Sequence, residues 1–321
     1  MGILVQKAGV LDTIQDLGRN GFRKFGINPN GVMDRNALRL INILLGNTEN
    51  QSAIEMHFPA SEFVFNEEAI FTLGGADFTA TLNKNPLDLL RVHYAKKGDL
   101  LKFSRKRRGN RCYLGVNGGF EVENWLNSSS TNLIAKVGGK EGRTLQKGDE
   151  IVFNTAQTTK GAAGNLQVAG NLRPEIETQV RLRLTPGAEY RRLTGISEQN
   201  FLEKTFRITQ DSNRMGYKLE GTPLHLLNTS EVLSSAVNFG TIQLLPNGQM
   251  VVLMADHQTT GGYPRIGHII ETDLSKLAQC GPGDEVGFDL VSLAEAERCR
   301  ADYERDLSFL RVGVRFHSGK L

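Results

Sequence analysis

FTLGGADFTATL, residues 71–82, decides the fold class. Its short apolar runs are broken by Gly74-Gly75 and Asp77, which reads as brief strands joined by tight turns. CYLGVNGGF (112–120) and MVVLMA (250–255) have the same character. Runs of this kind build β-barrels or sandwiches, so the chain is expected to be mainly β with few short helices. A smaller element recurs around them. Gly98-Asp99 precedes LLKF, Gly148-Asp149 precedes EIVF and Gly283-Asp284 precedes EVGF. Each reads as a turn feeding a strand, and its presence in both halves hints at a duplicated β-domain.

Helical signals are sparse. Asp34 opens RNALRLINILL, with Ala37, Leu38, Ile41, Leu44 and Leu45 on one stripe and Gly46 closing it. Asp273 is expected to start a short helix, LSKLAQ, ending near Gly281. Ser292 and Glu295 have capping-box spacing for a C-terminal helix whose apolar face would be Ala296, Cys299, Tyr303, Leu307 and Leu310. Residues 155–175 are small, polar and without periodicity, the best linker in the chain. The expected division is therefore 1–155 for an N-terminal domain, 156–177 for the linker, 178–290 for a C-terminal domain and 291–321 for a helical tail.

The bulk properties exclude several classes. A chain of 321 residues supports two ordinary cores. A net charge of +3 is small for that length, and the run Arg105 to Arg108 lacks interleaved aromatics, so it reads as a solvated turn before a nucleic-acid contact. Three cysteines without CxxC spacing argue against a disulfide framework and a structural zinc site, and no metal is expected. The N-terminus has no long apolar core and no apolar run nears the ~18 residues of a membrane span, so a cytoplasmic location is expected.

Standard catalytic motifs, HExxH and GxSxG among them, are absent. GGKEGRT (138–144) superficially resembles a phosphate loop but is one residue short, with Arg143 where lysine is required. Three segments are richer in Gly and polar residues than a core needs: IQDLGRNGF with NPNGVMD (14–34), DSNRMGYKLEG (211–221) and DHQTTGGYPRIG (256–267). Backbone N–H groups beside paired glycines, with arginines to grip a carboxylate or phosphate, would suit a small anionic substrate. Each residue also has a plainer reading. Asp34 reads as a helix N-cap. Asp16 and Arg19 read as a turn ion pair, and Arg214 as a surface bridge to Glu220 or Asp211. Gln258, Thr259 and Thr260 read as strand-end polar residues, Tyr263-Pro264 as a rigid turn that could hold a cis bond, and His257 and His268 as solvated or satisfied histidines.

These segments resemble the allophanate-hydrolase-subunit-2, carboxyltransferase-like family. QDLGR, NRMGY and QTTGGYP carry the resemblance, which runs in order from about residue 8 to residue 290. It implies two cyclophilin-like β-barrel domains. Members include the carboxyltransferase half of urea carboxylase, the PxpC (KipA-like) component of bacterial 5-oxoprolinase and a regulator that antagonises an inhibitor of a sporulation kinase. Their partner is a subunit-1-like (PxpB/KipI-type) protein, and 5-oxoprolinase adds a LamB/YcsF-type (PxpA) component. A free-standing chain without biotin carboxylase or biotin carrier segments looks most like the 5-oxoprolinase member, which implies ATP as cosubstrate, bound here or with the partner, and no biotin on this chain. The resemblance places Asp16, Arg19, Arg214 and Tyr263 as candidate catalytic groups and Asp34, Gln258, Thr260, Gly261 and Gly262 as candidate substrate-binding groups. Where many members read Ser-Arg-Ser-Thr, this chain has Ser128-Ser129-Ser130-Thr131, and the family's Gly-Pro at the start of the second domain appears as Thr185-Pro186-Gly187. Both departures bear on substrate preference.

Overall fold

The computed structural model describes residues 2–154, 166–168, 170–228 and 232–317, so residues 156–165 and 169 of the expected linker lie outside the described residues. The chain clusters into two compact units. The first comprises Met1–Arg19, Asn30–Ile176 and Glu304–Leu321; the second comprises Asn20–Pro29 and Glu177–Tyr303. The division is thus not a single cut, since residues 20–29 belong with the second unit and the end of the tail with the first. As read from the sequence, the protein is mainly β with few helices.

The first unit holds a six-stranded and a five-stranded sheet around one core. Ile3, Val5, Phe63, Phe65, Phe71, Leu73 and Leu114 are wholly buried there. FTLGGADFTATL forms the strand Ala69–Asp77 and the short strand Ala80–Leu82. Helix α1 (Arg35–Leu44) packs on the strands Ala69–Asp77 and Arg108–Val116. Gly74 and Gly115 make that approach possible: a side-chain carbon at Gly74 would sit 2.6 Å from Ile41, and one at Gly115 3.1 Å from Ile41 and Leu45. Asp34 is the helix N-cap, its carboxylate accepting from Ala37 N at 2.9 Å.

The second unit contains a closed seven-stranded barrel. All neighbouring strands run antiparallel except Gln179–Pro186 and Glu285–Leu290, which pair in parallel. Leu182, Ile242, Val252, Val286 and Phe288 fill its interior. Phe201 from α2 (Gly195–Glu203) stacks on Phe288 at 4.8 Å between ring centroids. Helix α3 spans Glu271–Gln279, two residues earlier than expected at its start, and Asp273 is not its cap. Asp273 is fully buried in the first turn, where it accepts from the backbone N and the guanidinium of Arg183. That pairing holds its carboxyl below the ordinary aspartate range against the opposing effect of burial.

The capping box at Ser292 and Glu295 forms as read, with Ser292 N donating to Glu295 at 2.8 Å and Glu295 N to Ser292 Oγ at 3.2 Å. Helix α4 (Leu293–His317) follows. Of its expected face, Leu307 is buried and Ala296, Cys299, Tyr303 and Leu310 are half-buried. Among the described residues no helix is long and apolar enough to cross a membrane.

The three Gly-Asp turns are built alike. In each, the aspartate carboxylate accepts from the backbone N of the residue three before it, Lys96, Gln146 or Gly281, at 2.7–2.8 Å. The aspartate N donates back to that residue's carbonyl. The glycine, at φ of 89°, 92° and 94°, donates to one residue of a neighbouring strand, Phe65, Val5 or Ile208, whose own N–H returns to the aspartate carbonyl. Only a residue free of the Cβ penalty enters that backbone region cheaply, which fixes glycine there.

Candidate functional site

In the first unit, Asp16 follows the strand Thr13–Gln15 and organises the loop Ser128–Thr131. Its Oδ1 accepts from Gly18 N at 2.8 Å, Ser128 Oγ at 2.7 Å and Ser130 Oγ at 2.6 Å, and its Oδ2 from Ser129 N at 2.8 Å. A carboxylate that accepts from Gly18 and from three donors of the Ser128–Ser130 segment shapes that loop. Arg19 is wholly buried and acts on the same loop. It donates to Asn30 Oδ1 and to the Ser130 carbonyl, each at 2.6 Å, and its guanidinium lies 4.8 Å from the Trp125 ring centroid. The simple turn ion pair expected of Asp16 and Arg19 thus gives way to two charges that brace one loop from different sides.

The phosphate-loop-like segment is part of the same scaffold. A side-chain carbon at Gly138 would meet the Ser130 carbonyl at 2.3 Å, and one at Gly139 would meet Thr131 Oγ1 at 2.0 Å. These glycines admit close backbone packing against the loop, and Arg143 is committed to Asp149 at 2.7 and 2.8 Å. Residues 138–144 therefore do not fit a nucleotide phosphate. Asp34 has a second task besides capping α1. Its N–H donates to Tyr113 Oη at 2.9 Å, and Tyr113 donates to Glu55 at 2.8 Å. Burial and the Glu55 charge push the Tyr113 hydroxyl well up, so it remains a proton donor within this buried network.

The second unit gathers the remaining candidates. Arg214 pairs with Asp256 through two parallel bonds, Nε to Oδ2 at 2.9 Å and Nη2 to Oδ1 at 3.0 Å. This corrects the expected surface bridge to Glu220 or Asp211: Arg214 is buried, and Asp211 instead pairs with Lys218. Asp256 opens the segment DHQTTGGYPRIG, yet its partner lies 42 residues away and nothing local marks it. Past His257, whose ring meets the Gln258 carbonyl at 2.5 Å, Thr260–Gly261 forms a two-residue strand with Ser235–Ala236. Gly262 and Tyr263 are exposed at the turn that follows. The cis proline bond is Phe58–Pro59, not Tyr263–Pro264. His268 is a satisfied histidine, its Nδ1 3.2 Å from Thr241 Oγ1, and burial holds its pKa down.

Gln258 and Tyr263 line a cleft of 200 Å³ together with Asn213, Lys218, Val251 and Gln243. Tyr263 also borders a larger, mostly apolar groove of 670 Å³ beside Leu224, Leu244 and Pro246. Gln243 was not singled out by its sequence, TIQLLPNG, which reads as an ordinary strand and turn. The structure thus brings Gln258 and Tyr263 to one cleft, places Gly262 with Tyr263 on the larger groove, and leaves Thr260 and Gly261 on the short strand between them, with Gly261 packed against Gln243. Arg214 lies in the chain between two lining residues, Asn213 and Met215, but is locked to Asp256. Asp16 and Arg19 both brace the Ser128–Thr131 loop, and Asp34 caps α1 and bonds to Tyr113, all within the first unit.

Comparison with known proteins agrees with this architecture. Residues 25–290 match the family described as carboxyltransferase domain, subdomain A and B. The chain is 40% identical over 299 residues to a Haemophilus influenzae protein named as the C component of 5-oxoprolinase, covering 93% of this chain and 94% of that one. It is 38% identical over 314 residues to the Escherichia coli protein of the same name, covering 97% and 98%. In fold it resembles the crystal structure of the Kluyveromyces lactis urea carboxylase, with a TM-score of 0.90 at 23% identity over 96% of this chain; the likeness spans only 29% of that longer chain. The chain belongs to the carboxyltransferase family of subdomains A and B.

Proposed function

We propose that this chain is a subunit of an ATP-dependent 5-oxoprolinase, which opens the lactam of 5-oxo-L-proline to give L-glutamate. The observation that carries this reading is the near end-to-end identity of 40% to a protein named as the C component of 5-oxoprolinase. The subunit works with a subunit-1-like (PxpB/KipI-type) protein and a LamB/YcsF-type (PxpA) protein. The ring C–N bond breaks, water supplies the new carboxylate oxygen, and the nitrogen leaves as the amine. Amide resonance makes the direct attack slow, and activation by ATP divides it into easier steps. ATP is the cosubstrate, bound on this chain or with the partner, and residues 138–144, packed against the Ser130–Thr131 backbone with Arg143 held by Asp149, do not supply its phosphate site.

In this reading the cleft of the second unit holds the lactam. Gln258 and Thr260 offer hydrogen-bonding side chains, Gly261 and Gly262 offer backbone beside them, and the exposed Tyr263 hydroxyl reaches the bound ring. Arg214, fixed by Asp256, is a positioning residue for the segment that carries these groups. Asp16 and Arg19 shape the Ser128–Thr131 loop, and Asp34 anchors α1 within the same unit.

A second reading is favoured by the fold likeness to urea carboxylase: carboxyl transfer together with a separate biotin-bearing chain. Co-expression of this chain with both partners, scoring glutamate from 5-oxo-L-proline with and without ATP, separates the two. ATP-dependent glutamate that disappears when this chain is omitted is the expected result. A well-folded complex that makes no glutamate but carboxylates a small amide in the presence of carboxybiotin would replace the first reading with the second.

A further inference from the structure

Gln243 sits on the strand Thr241–Leu244, inside a β-bulge. Ile242 pairs with Gly267 but Gln243 pairs with Arg265, so Ile266 is the extra residue. Bulges turn a side chain away from the direction that regular alternation gives it and are common beside functional sites. Gln243 also lies opposite Val251, which lies opposite Lys218, so the three form one row on the face away from the barrel core. That row floors the 200 Å³ cleft. The space corresponds to about seven waters at roughly 30 Å³ each, enough for a single small ring with one substituent.

Gln243 is only 2% exposed, and among the described residues its Nε2 meets no acceptor. Its Oε1 accepts from Gln258 at 3.4 Å, a long bond that leaves most of the oxygen's capacity unused. A buried, unsatisfied amide donor in a cleft wall is costly unless something else completes it. The amide packs closely against Gly261, where an added carbon would lie 2.4 Å from Nε2.

We propose that the Gln243 carboxamide recognises the cis-amide edge of a small lactam ring, with Lys218 drawing a carboxylate on that ring into the cleft. A lactam cannot place its C=O and N–H on opposite sides; the ring holds them on one edge. A primary carboxamide offers the complementary N–H and C=O, so the two groups meet in a pair of antiparallel hydrogen bonds. The Lys218 ammonium is shared with Asp211, but both side chains are more than half exposed, and such a surface pair exchanges partners at little cost. This inference rests on the lactam reading of the function. A cyclic urea has the same edge, so the ligand chemistry has two sources that the test must tell apart.

The test is a calorimetric titration of the full-length chain with 5-oxo-L-proline, pyrrolidone, L-proline and imidazolidinone. Binding is expected for 5-oxo-L-proline, weaker binding for pyrrolidone, which lacks the carboxylate, and none for L-proline, which lacks the ring carbonyl. Gly261→Ala should displace the Gln243 amide and weaken 5-oxo-L-proline binding about tenfold, the loss of roughly one well-made hydrogen bond. Its thermal unfolding should be unchanged, because the atom displaced is the end of a flexible side chain. Gln243→Glu, which exchanges the donor for an acceptor, should give the same loss. L-proline bound as tightly as 5-oxo-L-proline, or wild-type affinity in both folded variants, would overturn the proposal. Preferential binding of imidazolidinone that is lost in Gly261→Ala would support recognition of the edge while moving the ligand to the cyclic-urea class. In the reconstituted complex, glutamate production whose KM is untouched by Gly261→Ala overturns the role of Gln243 and leaves the proposed function standing. A wild-type complex that makes no glutamate while binding stays Gln243-dependent does the reverse.

Discussion

Asp256 holds Arg214 at three points: its two carboxylate oxygens take Nε and Nη2 at 2.9 and 3.0 Å, and its own N–H donates to the Arg214 carbonyl at 2.8 Å. The pair is buried, so removing one partner strands a charge. Arg214→Ala and Asp256→Ala should each cost about 3–5 kcal/mol, read from urea midpoints. The double variant Arg214→Met with Asp256→Leu should recover much of that loss in stability. If it also recovers activity, Arg214 has no part in the reaction beyond positioning.

Asp16 satisfies four donors from Gly18 and the Ser128–Ser130 loop. Asp16→Ala should destabilise by about 3 kcal/mol, since buried hydroxyl and amide groups lose their acceptor together. Ser129→Arg, which restores the common family residue, should fold normally: position 129 contributes its backbone N–H to Asp16, and its side chain is only half-buried. A comparison of KM for 5-oxo-L-proline and for a urea-like amide in Ser129→Arg would show whether this position sets substrate preference.

Asp12 makes stability depend on pH in an unusual direction. Burial pushes its carboxyl up to about 6, against hydrogen bonds from Ser61 and His57 that pull the other way. In the unfolded chain it titrates near 3.8. The folded state therefore keeps a proton that the unfolded state has lost between about pH 4 and pH 6. This contribution to stability is present at the acid end of that window and fades as pH rises through 6, by on the order of 3 kcal/mol in total. Asp273, Glu189 and Asp149 have lowered values and act oppositely, so the contrast must be isolated. The difference in urea midpoint between Asp12→Asn and the wild type, measured at pH 4.5 and 7.5, should shift in favour of the variant at the higher pH.

The three cysteines should differ sharply toward alkylation. Cys112 and Cys280 are wholly buried, and burial raises the Cys112 thiol far above its ordinary value. Cys299 is half-buried on α4, with Arg183 Nη1 3.0 Å from its sulfur. Brief iodoacetamide treatment of the native protein should label Cys299 before either of the others, as read by peptide mass spectrometry.

Local features were legible in the sequence because their partners are close along the chain. Asp34 caps a helix by reaching three residues ahead, and Ser292 and Glu295 do the same to each other. The Gly-Asp turns close within four residues. The long-range pairings were not legible. Ser128 and Ser130 meet Asp16 across 112 and 114 residues, Arg183 meets Asp273 across 90, and Asp256 meets Arg214 across 42. Gln243 was invisible for another reason: its burial depends on a bulge and on a glycine from a later segment, neither of which its own neighbourhood in sequence signals.

The three alike Gly-Asp turns also guard against misthreading. Each clips the start of its strand to one residue of a neighbour, Phe65, Val5 or Ile208, by bonds in both directions. A slip of one residue would break both of those bonds and turn the following strand's apolar face outward. A chain with many short strands and few helices has numerous near-equivalent pairings to choose among, and these clips act as index marks that make one alignment distinguishable from the next before the cores have closed.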